Sequence, residues 1–79
     1  MMTFVITMTS EQDAAQVKFE KIGAREWQTL YCWLDAVDGR AVNIVSEKHK
    51  SHKAAERAYY ATIGTLAVAG YTITVKGGN

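Results

Sequence analysis

SHKAAERAYYATIGTLAVA, residues 51–69, is the one long helical stretch in this sequence, and the remainder of the chain reads as strand around it. Ser51 has the hydroxyl of a good N-cap, and Gly70 can take the left-handed conformation that closes a helix. At about 100° per residue, Ala55, Ala58, Tyr59, Thr62, Leu66 and Ala69 fall on one side, opposite Lys53, Arg57, Tyr60 and Gly64. An alanine-rich core face lets the helix axis approach a sheet closely and favours helix at low entropic cost. Gly64 is its weak point, costing about 1 kcal/mol against alanine in a helix interior.

The approach to this helix is basic. Between Ser46 and Tyr60 stand four Lys or Arg, namely Lys48, Lys50, Lys53 and Arg57, against two Glu, with His49 and His52 besides. A helix N-terminus carries partial positive charge and prefers acidic neighbours, so cations here run against the local preference. Two readings follow. In one, helix N–H groups, lysines and Arg57 converge on a phosphate or an acidic partner. In the other, the lysines only face water, as charge runs often do.

Outward from the helix, residues 71–76, YTITVK, alternate as a half-buried strand, with Tyr71, Ile73 and Val75 inward. Upstream, residues 3–9, TFVITMT, form a first strand, and residues 16–22 a second in preference to a short helix. Residues 27–37, WQTLYCWLDAV, are the longest strand candidate. Asp38-Gly39 is a strong two-residue hairpin signal, because both positions tolerate positive φ, and residues 40–46 return as its partner. Pairing Val37 with Arg40 sets Asp35 opposite Val42, Trp33 opposite Ile44 and Tyr31 opposite Ser46. Leu30, Cys32, Leu34 and Val45 then occupy the other face. Both faces are apolar, but one helix covers only one. Either a terminal segment covers the second, or Trp27, Tyr31 and Trp33 form an aromatic patch for a partner. The expected fold is α+β: a small antiparallel β-sheet packed on a single α-helix, in the order β-β-β-β-α-β.

The 79 residues make one domain, 1–79, with a flexible tail at residues 77–79. Hydrophobic content of 48% and charged content of 22% are those of a globular protein. With a net charge of +1, the whole molecule is not a general polyanion binder. The basic helix start is offset by Glu11, Asp13, Glu20, Glu26, Asp35 and Asp38, so the surface is charge-asymmetric. The single cysteine, Cys32, rules out an intramolecular disulfide and fits a reducing cytoplasm. Residues 1–10 lack the basic region of a signal peptide and are too short to span a membrane.

Little here suggests catalysis. His49 and His52 are three apart but lack the further ligands a metal site needs. Cys32 sits among apolar neighbours, unlike a reactive thiolate. Asp35 and Asp38 flank a turn, where aspartate is expected for backbone reasons. No Gly-rich phosphate loop is present. We therefore expect no enzyme, no cofactor and no metal. Aromatic residues are mostly core material, but Tyr60 lies beside Lys53 and Arg57, and Tyr and Arg together are typical of contact surfaces. The candidate partner-binding set is Lys48, Lys50, His52, Lys53, Arg57, Tyr60, Trp27 and Trp33.

Residues 51–58, SHKAAERA, resemble the Ser-Lys-Lys-x-Ala-Lys-x-x-Ala helix start of double-stranded-RNA-binding domains. His52 replaces the first lysine, however, and a strand follows a helix that should end such a domain. The hairpin and helix, residues 31–61, are similar in layout to the arm-binding domains of phage integrases. In overall build, a single small α+β domain with no catalytic motif and polarised charge, the chain resembles the phage and mobile-element inhibitors known as anti-CRISPR proteins. No residue motif defines that group, so no residue role carries over. The resemblance implies a stoichiometric inhibitor; the chain is separately expected in the host-cell cytoplasm, as a monomer or homodimer. It would dock on a Cas subunit of a type I surveillance complex and block target DNA binding or nuclease recruitment. The alternative is a small phage nucleic-acid-binding protein that sets the basic helix start on phosphates.

Overall fold

A computed structural model describes residues 3–35 and 37–78. Its elements are β1 (Thr3–Thr9), β2 (Ala14–Gly23), β3 (Glu26–Leu34), β4 (Ala41–His49), α1 (His52–Val68) and β5 (Thr72–Gly78). The strands form one antiparallel sheet in the order β4-β3-β2-β1-β5. Strands β1 to β4 are a meander, and α1 carries the chain across one face from the β4 edge to the β5 edge. The fold is thus α+β, a five-stranded antiparallel sheet on one helix, in the expected order. No described helix is long and apolar enough to cross a membrane.

Period-two alternation sends Ile6 and Met8 of β1, Ala15, Val17 and Phe19 of β2, and Trp27 of β3 to the helix side, where they are buried. The helix answers with Ala55, Tyr59 and Leu66, its three buried residues. Phe19 is the hub. Its ring lies 4.8 Å from Phe4, 4.7 Å from Tyr59 and 6.2 Å from Trp27, the offset and tilted arrangements that aromatic pairs prefer. No buried side-chain polar atom lacks a partner among the described residues.

The helix ends follow their sequence signals. The Ser51 hydroxyl accepts the Ala54 N–H at 3.2 Å. At the other end Gly70, at φ 102°, allows Tyr71 N–H to reach Leu66 C=O while its own N–H reaches Ala67 C=O. These are the two bonds of a Schellman cap, which brings the residue after the glycine back against the helix's last turn.

Three expectations are corrected. The Asp38-Gly39 turn is longer than two residues: Asp35 N–H bonds Arg40 C=O at 2.8 Å, and Leu34 pairs with Ala41. The Asp35 carboxylate accepts the N–H groups of Val37 and Asp38, holding them out of the ladder. Farther along, the register shifts again between Tyr31 and Trp33, where Asn43 adopts φ 53°. Asparagine tolerates that left-handed conformation, so the extra residue sits there as a bulge. Tyr31 therefore faces Val45 and Trp33 faces Val42. A one-residue slip exchanges faces, so Val45 joins the helix side and Ile44 the open side. The third correction concerns the chain end. Gly77 and Gly78 pair with Val5 and Phe4 as part of β5, because β1 offers them a ladder. Asn79, and Ala36 of the expected third strand, lie outside the described residues, as do the side chains of Val75 and Lys76.

Candidate functional site

Strand direction sorts the loops into two ends. The β2–β3 turn, the β4–α1 connection and the N-terminus of α1 share one end. The β1–β2 loop, the β3–β4 loop and the C-terminus of α1 share the other. The molecule measures 38 Å in its long dimension, which a ten-residue strand at about 3.3 Å per residue identifies as the strand direction.

At the first end the cations are unpaired. Carboxylates stand among them: Glu47 lies 3.3 Å from His49 Nε2, Glu56 lies 4.0 Å from His52 Nε2, and Glu26 is exposed at the β2–β3 turn. Among the described residues, Lys48, Lys50, Lys53 and Arg57 make no ion pair. All four are exposed, and the first turn of the helix holds no acidic residue. The positive pole of α1 is therefore reinforced by its surroundings, against the usual preference.

The four do not converge on one point. Lys48 pairs with Gln28 and so belongs to the sheet's open face, whereas Lys53 and Arg57 stand one turn apart on the outer ridge of α1. Lys50 lies in the bend between them. The cations wrap the end of the molecule instead of forming a phosphate cradle.

Tyr60 extends the ridge, 60% exposed, its ring edge-on to Tyr59 at 5.3 Å. Below it lies a shallow hollow walled by Phe4, Ile63 and Ile73. His52 is exposed, but its ring packs edge-on against Trp27 at 4.7 Å and near Phe19 at 5.7 Å. His49 is half-buried, its Nε2 3.1 Å from the Thr29 hydroxyl. The two histidines are structural neighbours of the core, and no group of three metal-ligating side chains occurs among the described residues.

Trp27 is withdrawn from the candidate surface. At 7% exposure it is a core residue, because the aromatic face of β3 is the face that α1 covers. Tyr31 and Trp33 pack against the same core from its margin, so the expected aromatic patch is not the open one. The open face instead carries Leu30, Leu34 and Ile44 around the buried Cys32, mixed with Gln16 and Lys18.

Trp33 remains partly accessible. With Tyr31, Leu66, Ala69 and Tyr71 it lines a cleft of about 550 Å³ between the C-terminal half of α1 and β3. Sequence reasoning missed this cleft. Its signal was the run of small residues Ala58, Thr62, Thr65 and Ala69 along one side of the helix, which leaves the β3 aromatics partly uncovered.

The second end is acidic. Glu11, Asp13, Asp35 and Asp38 stand there, with Arg40 paired to Asp38 at 3.0 Å. The last turn of α1 contains no basic residue. Charge thus increases the helix dipole at both of its ends. No family model, curated protein or solved structure matches this chain.

Proposed function

We propose that this is a non-enzymatic binding protein that acts stoichiometrically, docking its basic end on an acidic face of a partner protein. One observation carries the reading: four exposed cations, none of them in an ion pair among the described residues, stand at the end of the molecule that holds the helix N-terminus. Cations placed where they weaken a helix, with no internal partner, are the kind of local conflict expected at a working surface. Tyr60 and Arg57 supply the aromatic and guanidinium groups that dominate protein contacts. The spread of the cations around one end suits a broad protein face better than a phosphate cradle. An acidic opposite end and a net charge of +1 also disfavour tracking along a polyanion.

The specific partner in this reading is a Cas subunit of a type I CRISPR–Cas surveillance complex. The protein would block target DNA binding or nuclease recruitment in the host cytoplasm, as its similarity of build to anti-CRISPR proteins implies. The second reading, direct nucleic-acid binding, is favoured by the positive pole of the helix beside Lys53 and Lys50.

Size-exclusion chromatography with light scattering, with purified surveillance complex and separately with a pool of DNA and RNA duplexes, distinguishes the two. The expected result is co-elution with the protein complex, lost in a Lys53→Glu/Arg57→Glu/Tyr60→Ala variant whose circular dichroism is unchanged. Failure to co-elute sinks the Cas assignment, and an unaffected triple variant sinks the surface assignment. Co-elution with duplex alone would move the function to nucleic acid. Each phosphate contact removed would then reduce the salt slope by about one.

A further inference from the structure

The cleft between α1 and β3 lies toward the end opposite the proposed basic docking surface, and its chemistry differs. Three aromatic rings, Tyr31, Trp33 and Tyr71, contribute to its lining, and the Trp33 and Tyr71 rings are 5.7 Å apart and tilted by 42°. The Schellman cap sets this geometry, because it folds Tyr71 back beside Leu66 and so across from Trp33. No cation lines the cleft.

One carboxylate borders it at the Tyr71 hydroxyl. The Tyr71 hydroxyl donates to the Asp13 carboxylate, which also accepts from the Ser10 hydroxyl at 3.2 Å. Among the described residues Asp13 has no cationic partner. The α1 C-terminus, where peptide dipoles concentrate negative potential, closes the same end without a basic residue in its last turn. The electron-rich faces of tyrosine and tryptophan attract cations, and more strongly where water is partly excluded.

We infer that this cleft receives an arginine or lysine side chain of a partner protein, laid against the Trp33, Tyr71 and Tyr31 rings with its charge toward Asp13. An apolar side chain would fill the volume but leave the Asp13 carboxylate and the helix C-terminus unanswered, whereas a carboxylate or phosphate would be repelled. The guanidinium group is the better fit, since it is planar, weakly hydrated and stacks on aromatic rings.

The test is an NMR titration of ¹⁵N-labelled protein with the end-blocked tripeptide Gly-Arg-Gly, and in parallel with the same peptide carrying citrulline, the neutral shape mimic of arginine. The expected result is movement of the Trp33 indole N–H and of the Ala69 and Tyr71 amides, with citrulline weaker by about tenfold. Trp33→Leu should abolish the response, the Trp27 indole signal reporting that the core is intact. Should that variant not fold, Asp13→Asn, in an exposed loop, should bring arginine binding down toward the citrulline level. Equal binding of both peptides would overturn the proposal in favour of a plain apolar slot. Shifts confined to Glu11 and Asp38 would overturn it in favour of diffuse charge attraction. Concentration-dependent movement of the cleft and Lys53 signals in the free protein would overturn it in favour of a second copy as occupant.

Discussion

Trp27 and Trp33 are one residue type with one sequence signature and different placements. Both lie on the same face of β3, but Trp27 is under the helix start, sealed by Phe19 and His52, whereas Trp33 reaches the cleft margin. Trp27→Ala should therefore cost about 3–5 kcal/mol in urea unfolding, as large-to-small changes in a core do. Trp33→Ala should cost clearly less, and equal losses would contradict the placement. Tyr59 gives a pH test. Burial, aided by the neighbouring Tyr60, pushes its hydroxyl up from 10.0 to about 12. The folded state thus holds that proton more tightly than the unfolded chain. Stability from this group is full below pH 10 and falls as the pH rises through 10 to 12. A Tyr59→Phe variant should show a flatter decline over that interval, and an unchanged slope would count against the burial effect.

Among the elements, α1 carries the conflict between stability and use. Lys53 stands in the first helical turn, where an acidic residue would stabilise by about 0.3–1 kcal/mol. Lys53→Glu should accordingly raise the unfolding midpoint while weakening partner binding. A variant that loses both would show that Lys53 serves the fold. The helix was legible in the sequence because Ser51, Gly70 and the spacing of Ala55, Tyr59 and Leu66 all agree with the observed element. Strands β1 and β5 were legible through alternation. The β3–β4 register was not, because it depends on which acceptor wins the loop amides and on Asn43 entering the left-handed region. Neither follows from hydrophobic pattern. Which face of β3 meets the helix was open for the same reason, since Leu30, Cys32 and Leu34 are as apolar as Trp27, Tyr31 and Trp33. The cleft escaped notice because it is a property of two elements together: small helix residues standing over large strand residues.

For the molecule as a whole, charge separation along the strand direction is the feature that the fold supplies and composition conceals. A net charge of +1 hides a basic end with Lys50, Lys53 and Arg57 and an acidic end with Glu11, Asp13 and Asp35. The antiparallel meander places these loops at opposite ends, and the single helix aligns its dipole with them instead of against them. The proposed docking surface and the proposed cation cleft are the two poles of this arrangement. Its most direct test is an NMR titration of the labelled protein with hexaglutamate, first at low salt and then at about 0.5 M, where screening cuts exposed charge interactions within a few ångströms. Movement confined to the amides of residues 48–57 and Tyr60, fading as salt is added, is the expected result. Movement centred elsewhere, or insensitive to salt, would contradict the assignment of the basic end as the binding surface.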